Sequence, residues 1–172
     1  MKQILTLLLL IFITSCSQSA IVQNEGDTMK ITSPAFKESG MIPAEYTCDG
    51  KNISPELNID GVPASAKSLA LIMDDPDAPM GTWDHWIVFN IPATIKNVAK
   101  ATEPQGTAGM NSWKKTGYGG PCPPSGVHRY YFKLYALDIK LELNQGAAKA
   151  KLLEAMKGHV AAQAQLMGKF QK

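Results

Sequence analysis

The chain is organised around one stretch, Ser68-Leu-Ala-Leu-Ile-Met-Asp-Asp-Pro-Asp-Ala-Pro79. Its first half is short, almost wholly apolar and bounded by turn residues, which predicts a strand that is buried on both faces. The strand runs directly into three aspartates and two prolines. Taken alone, Asp74–Pro79 is typical of a solvated turn, because Asp and Pro are turn residues. Two histidine motifs farther along the chain give it a second interpretation, as part of a binding site.

Four further segments have the alternation or composition of a β-strand. They are residues 29–33, 54–59, 86–91 and 130–138. Around the third segment, strict alternation places His85, Ile87 and Phe89 on one face of the strand and Trp86 and Val88 on the other. In the fourth segment and just before it, Tyr130 and His128 share a face.

The C-terminal part of the chain changes period. Residues 147–156 repeat apolar side chains at helical spacing, and Lys157-Gly158 is a typical helix end. Residues 160–167 predict a second short helix, and residues 168–172 a last edge strand. Short strands followed by helices at one end predict a mostly β fold, a β-sandwich with short C-terminal helices.

The composition is that of one globular domain. Hydrophobic residues make up 45% of the 172 residues and charged residues 19%, so the chain has ample material for a core. The net charge of +2 is too small to indicate nucleic-acid binding, and no nucleic-acid partner is expected.

The N-terminus has the form of a signal peptide at residues 1–15, with Lys2 followed by an apolar run too short to span a bilayer. This run ends in Ile13-Thr-Ser-Cys16, which resembles the lipobox of bacterial lipoproteins and predicts a lipidated Cys16. An ordinary secretory signal with a coincidental Cys is the alternative. Residues 16–28 then form a flexible tether to a domain at residues 29–172. We expect a lipid-anchored protein of the bacterial cell envelope, and Ser17 favours the outer membrane, facing the periplasm.

Lipidation of Cys16 leaves two cysteines, Cys48 and Cys122. An oxidising compartment permits a disulfide between them. Two free thiols, one of them beside the candidate site, are the alternative.

The histidine motifs are Trp83-Asp-His-Trp86 and the glycine- and proline-rich run that ends in His128-Arg-Tyr130. An aspartate at the strand end can accept a hydrogen bond from an imidazole and fix its tautomer. The histidines and the tyrosine hydroxyl then present donors to an oxyanion, and the Gly119-Gly120 backbone adds N–H groups. The pattern predicts a pocket for phosphate, sulfate or carboxylate, with Trp83 and Trp86 as apolar walls.

Together, Asp75-Pro-Asp77-Ala-Pro79, the Trp-x-His85 step and Gly120-Pro…His128-Arg-Tyr130 resemble the signature segments of the phosphatidylethanolamine-binding protein family, most nearly its bacterial Raf-kinase-inhibitor-like branch. The resemblance runs from residue 29 to the C-terminus. It implies an antiparallel β-sandwich of two sheets with short helices and an anion pocket at one end. The ligand-binding residues that it implies are Asp75, Asp77, His85, Gly120, His128 and Tyr130. Asp84 stands where the family usually has a first histidine before His85.

The function predicted from these residues is non-enzymatic binding of a phosphate-bearing group, such as a phospholipid head group or a phosphorylated ligand. No serine lies in a Gly-x-Ser-x-Gly elbow, so no activated nucleophile is indicated. One alternative is an inhibitor or regulator of a protease or kinase through the same pocket face. A second is a hydrolase that uses the His/Asp cluster. No catalytic residue, metal site or cofactor is predicted, the protein partner is unknown, and a homodimer is left open.

Overall fold

The computed structural model describes residues 28–172. The predicted signal peptide, the lipidated Cys16 and the tether up to residue 27 therefore lie outside the described residues. The strands are β1 Lys30–Thr32, β2 Leu57–Asp60, β3 Ser68–Asp75, β4 Trp83–Pro92, β5 Asn97–Val98, β6 Thr107–Ala108, β7 Val127–Leu137 and β8 Val160–Gln171, with the helix α1 Lys149–Met156 between β7 and β8. Within the described part of the chain, no helix has the length and apolar character needed to cross a membrane.

Two antiparallel sheets build the fold, which confirms the predicted mostly β architecture. The small sheet has the strand order β1-β2-β5, and the large sheet has the order β6-β4-β3-β7-β8. β3 lies at the centre of the large sheet, paired on one side with β4 and on the other with β7. All eight of its residues are buried, as the apolar run predicts.

The large sheet buries both of its faces, which explains why β3 carries no alternation. One face packs on the small sheet through a core that includes Leu71, Trp86 and Phe132. The other face packs on α1 through a second core that includes Ile72 and Leu152. An isolated helix of eight residues is unstable in water, so α1 depends on this packing.

The prediction of a second helix at residues 160–167 is wrong, because these residues belong to β8, a strand of twelve residues. Alanine and glutamine favour a helix locally, but pairing with β7 along the strand overrides that preference. Burial alternates along the strand, with Ala162 and Ala164 partly buried and Leu166, Gly168 and Phe170 buried on one face. The described chain thus has one short α-helix, and the predicted edge strand is the end of β8.

A disulfide joins Cys48 to Cys122, with their Cα atoms 5.4 Å apart. The disulfide prediction is therefore confirmed over the alternative of two free thiols. Beside it, the Cys48 N–H donates to the Pro121 carbonyl at 3.0 Å. The bond fastens the loop that follows the 3-10 turn Ala44–Tyr46 to the glycine- and proline-rich segment before β7.

Reduction of this disulfide is expected to destabilise the fold. The bond joins residues 74 positions apart and so restricts the unfolded chain, which predicts a loss of about 2–4 kcal/mol in the free energy of unfolding. Urea denaturation with and without a thiol reductant measures the change. The Cys48→Ser/Cys122→Ser double variant is the control, since a reductant should not alter its midpoint. Equal midpoints for the oxidised and reduced native chain would contradict the prediction.

Candidate functional site

The end of β3 carries the central hydrogen bond of the candidate site. His128, the second residue of β7, places its Nδ1 atom 2.7 Å from Asp75 Oδ2. Both side chains are buried. Because an ionised carboxylate can only accept, Nδ1 of His128 carries the proton and Nε2 is the other ring nitrogen, left for a ligand.

The loop after β3 is held by the same carboxylate. Asp75 Oδ1 accepts the Asp77 N–H at 2.8 Å, in the manner of an Asx turn. Asp77 in turn accepts from the Arg129 backbone N–H and from its guanidinium, at 2.9 Å and 2.6 Å. The Arg129 hydrogen bonds lower the pKa of Asp77 to about 2. Asp77 therefore ties the loop to β7 rather than offering a free carboxylate.

A β-bulge brings His85 to the site. Met73 pairs with Trp86 and Asp74 pairs with Asp84, so His85 is an extra residue with no partner on β3. Its ring makes an edge-on contact with Tyr130 at 5.2 Å between centroids, on the sheet face that packs against the small sheet. The prediction that strict alternation puts His85 on the face of Ile87 and Phe89 is wrong, because those residues face α1. A bulge interrupts the period of two.

A carbonyl, not a carboxylate, orients His85. Its Nδ1 donates to the Gly119 carbonyl at 2.7 Å, which leaves Nε2 as the unprotonated nitrogen of the neutral ring. Burial lowers the pKa of His85, opposed by this hydrogen bond and by the charge of Asp75. His85 therefore presents an acceptor, and not the donor expected from sequence, unless a second proton is bound.

Tyr130 lies behind the histidines. Its hydroxyl is fully buried and has no hydrogen-bond partner in the described part of the chain. Burial and the neighbouring negative charge of Asp75 raise the pKa of Tyr130. A buried hydroxyl without a hydrogen-bond partner destabilises the fold, so a ligand acceptor that reached the Tyr130 hydroxyl would gain a hydrogen bond.

The prediction that the Gly119 and Gly120 N–H groups are free for an anion is wrong. Gly119 donates to the His85 carbonyl at 3.1 Å, and Gly120 donates to Asn52 Oδ1 at 2.7 Å. The two glycines are needed for close approach instead, because a Cβ atom would overlap the Trp113 indole at Gly119 and the Tyr46 carbonyl at Gly120.

The aromatic walls differ from the predicted pair. Trp83 lines the site, but Trp86 is fully buried in the core and donates from Nε1 to the Glu103 carboxylate. Trp113 takes the second place, with its ring 5.4 Å from Trp83 and 5.0 Å from His85 between centroids. Sequence reasoning missed Trp113, because it lies in a long irregular segment; an isolated Trp between polar residues there was its only signal.

These groups enclose a cavity of about 240 Å³. Its lining residues are Asp75, Ala78, Pro79, Trp83, His85, Trp113, Cys122, Pro124 and His128. Of the predicted ligand-binding residues, the structure thus brings together Asp75, His85 and His128 at the cavity, and Tyr130 behind it. Asp77 and Gly120 support its walls. Among the described residues, no lysine or arginine lines this cavity.

Asp74 lies on the opposite face of β3. Its carboxylate oxygens are 2.8 Å from Lys133 Nζ and 2.7 Å from Lys149 Nζ, and Lys149 also reaches Asp84 at 2.6 Å. Asp74 is therefore separate from the cavity, and it anchors the first residue of α1. Among residues 28–172, the cavity included, no three His, Cys, Asp or Glu side chains are grouped so as to hold a metal ion.

Residues 32–171 match the family model described as phosphatidylethanolamine-binding protein. The UPF0098 protein of Methanothermobacter thermautotrophicus is 54% identical over 150 residues, which cover 84% of this chain and 99% of that protein. A UPF0098 protein of Chlamydia trachomatis is 46% identical over 149 residues, with 84% of this chain and 99% of that protein covered.

Two solved structures are similar to this chain. A crystal structure from Chlamydia trachomatis, described as that of a phosphatidylethanolamine-binding protein homologue, has a TM-score of 0.83 and 45% identity, covering 86% of this chain and 99% of that one. The crystal structure of YbcL from E. coli has a TM-score of 0.78 and 31% identity, covering 84% and 98%.

The Asp75→Asn variant is expected to reverse the His128 tautomer. The Asp77 N–H requires an oxygen at one position of the side chain, so the amide NH₂ must face His128 and donate to Nδ1. The ring proton then moves to Nε2, and loss of the charge-assisted bond costs about 1–3 kcal/mol of stability. Imidazole ¹⁵N chemical shifts report the tautomer. Asp77→Asn is the matched control, and a proton kept on Nδ1 in Asp75→Asn would refute this assignment.

Asp77 gives the fold a contribution to stability that disappears in acid. Since Arg129 depresses the folded pKa of Asp77 from 3.8 to about 2, this contribution is complete above the unfolded pKa and is lost as the pH falls towards about 2. Wild type should therefore exceed Asp77→Asn in unfolding free energy at neutral pH, by a modest amount because the pair is partly exposed. Urea denaturation across this pH range tests it. A difference that stays constant down to about pH 2 would contradict the assignment.

Proposed function

The chain belongs to the phosphatidylethanolamine-binding protein family, and we propose that its cavity binds the phosphate or a similar small anionic group of a ligand, without chemical turnover. The observation that carries the proposal is the pair of histidines beside Asp75. Each ring has its Nδ1 proton committed to a protein acceptor, so each offers Nε2 to whatever enters.

The protons on the two histidine rings determine how the site can bind an anion. With both rings neutral, each Nε2 is a lone pair, which attracts a proton donor and repels a bare oxyanion. A proton bound at His128 Nε2 makes this nitrogen a donor, while Nδ1 keeps its hydrogen bond to Asp75 at 2.7 Å. The unpartnered Tyr130 hydroxyl lies behind the same carboxylate. The neutral His85 can meanwhile accept the proton of a monoprotonated phosphate.

The size of the cavity supports a small ligand group. Its volume of about 240 Å³ lies below the range of most small-molecule pockets, roughly 300–1,000 Å³. The tryptophan and proline walls leave only a few polar groups to fix orientation. A phosphoryl or head group fits this description better than a whole lipid.

Binding without turnover is proposed because the cavity holds no activated nucleophile within the described chain. The sulfur that lines it, Cys122, is engaged in the disulfide. His85 has no serine or thiol as a partner on Nδ1, and His128 has only Asp75. The histidines are therefore proposed to bind a ligand, without covalent catalysis by a side chain of the cavity.

We further propose that the chain is a lipid-anchored envelope protein and that phospholipid head groups are one source of its ligand. The lipobox-like segment before Cys16 supports the anchor. An extended tether at residues 16–28 spans at most about 45 Å, which would keep the domain near the bilayer surface. Labelling with a radioactive fatty acid, compared between wild type and Cys16→Ala, tests the anchor.

Sulfate, which carries no proton at neutral pH, is the sharpest probe of the proposed site. Its affinity should rise as the pH falls, by at most about tenfold per pH unit, because one proton must be bound with it. Phosphate should depend less on pH, since its monoanion brings its own proton. Histidine NMR titrations at several pH values give both affinities, with His159 as an internal control, because it contacts Asp138 just beyond the far end of β7.

Sulfate and phosphate that leave the His85 and His128 resonances unmoved would overturn the proposed function. Equal pH dependence for the two anions would refute the proton count. Glycerophosphoethanolamine in solution and phosphatidylethanolamine vesicles, compared with inorganic phosphate, then distinguish a soluble from a membrane source of the group.

A further inference from the structure

A second cavity, of about 350 Å³, adjoins the first. Trp113 and Cys122 line both cavities, and the Gly119-Gly120 segment, which orients His85, lines the second. The two cavities are therefore neighbours that share Trp113 and Cys122.

The loop at residues 111–117 lines the second cavity and is held by hydrogen bonds to the buried side chain of Asn111. Asn111 Oδ1 accepts the N–H groups of Trp113 and Lys115 at 3.0 Å and 3.1 Å, and Nδ2 donates to the Gly117 carbonyl at 3.1 Å. The Asn111 N–H also donates to the Lys115 carbonyl at 2.8 Å. The backbone that carries Lys115 is thus held in place before any ligand arrives, which lowers the cost of binding.

The second cavity has an ammonium and a side-chain amide at its exposed rim, on Lys115 and Asn52, beside the hydroxyls of Thr116 and Tyr118. Lys115 is its one charged lining residue, and in the described chain it forms no ion pair. Asn52 gives its Oδ1 to the Gly120 N–H, so the Nδ2 hydrogens are left for a ligand. No Asp or Glu among the described residues lines this cavity. Two carboxylates close to lining residues have partners of their own: Glu103 accepts from the Trp86 indole and the Tyr118 backbone N–H, and Asp49 pairs with Lys172 at 3.2 Å.

The two cavities therefore differ in charge. The first contains a carboxylate and histidines and has no permanent cation, whereas the second contains a permanent cation and no carboxylate. If the ligand has a single phosphate, Lys115 and Asn52 in the second cavity remain hydrogen-bonded to water. A ligand with a second group rich in acceptors can form hydrogen bonds in both cavities.

We propose that the second cavity is a subsite for a second anionic group of the same ligand, held by Lys115 and Asn52 while the phosphoryl group occupies the first cavity. This inference rests on the proposed function and names its ligand class: a phosphorylated compound that also carries a carboxylate or a second phosphate. Trp113, which is 40% exposed, lies between the two groups and contacts the linking part of the ligand.

A matched series of ligands tests the subsite. Phosphonoalkanoates of increasing chain length are compared with alkylphosphonates of the same lengths, which lack only the carboxylate, and the readout is the ratio of the two affinities. At the chain length that spans the cavities, this ratio should reach about twofold to fivefold at low salt, because Lys115 is exposed. In Lys115→Ala the ratio should fall clearly below that of wild type, because the cation is gone and only the Asn52 amide remains. Lys115→Arg should keep it.

Lys114→Ala is the control, since Lys114 is the adjacent lysine and does not line the cavity. It should keep the ratio of wild type. Alkylphosphonates and inorganic phosphate that fail to shift the His128 resonances would overturn the proposed function and this inference with it. Normal phosphonate binding with a ratio near one at every length would overturn the second subsite alone. A ratio that persists in Lys115→Ala, or is lost in Lys114→Ala, would overturn the role of Lys115.

Discussion

A strand that is buried on both faces cannot end in two charged residues unless each face supplies a partner. β3 ends in Asp74 and Asp75, and both are buried. An unpaired charge there would cost several kcal/mol. Successive side chains point to opposite faces, so the two carboxylates meet different neighbours. Lys133 and Lys149 pair with Asp74, and the Lys149 pair holds α1 against the sheet. His128 pairs with Asp75 at the candidate site. One constraint on burial thus connects the helix packing to the cavity.

The bulge at His85 completes this division. Without the extra residue, β4 would direct His85 into the core against α1, where an imidazole would need a buried partner of its own. With it, the ring turns to the face of Asp75 and finds the Gly119 carbonyl. Gly119 can approach because it has no side chain to collide with Trp113. The bulge, the glycine and the tryptophan therefore depend on one another, and a change in any of them alters the position of His85.

Sequence patterns could predict whatever depends on local chemistry. The apolar run predicts the central strand, and the two cysteines other than Cys16 permit the disulfide. That Asp75 and His128 share a pocket was implied by the resemblance to a known family. Patterns failed where long-range pairing decides the outcome. β8 is a strand because eleven of its residues pair with β7, against its local helical preference. The bulge and the hydrogen bonds of the Gly119 and Gly120 N–H groups leave no local signal either, and Trp113 reaches the cavity from a segment without any period.

The distribution of permanent cations explains what kind of binding site this is. Arg129 is committed to Asp77, and Lys133 and Lys149 are committed to Asp74, so the fixed positive charges near β3 are neutralised outside the cavity. What remains inside is a set of groups whose charge depends on bound protons. A cavity of this kind has no strong field of its own with which to attract any anion indiscriminately. Under the proposed function, selectivity then follows from the match between the hydrogen-bond donors and acceptors of the cavity and those of the ligand. The permanent charge of Lys115, on the other side of Trp113, would then favour ligands that carry a second anionic group.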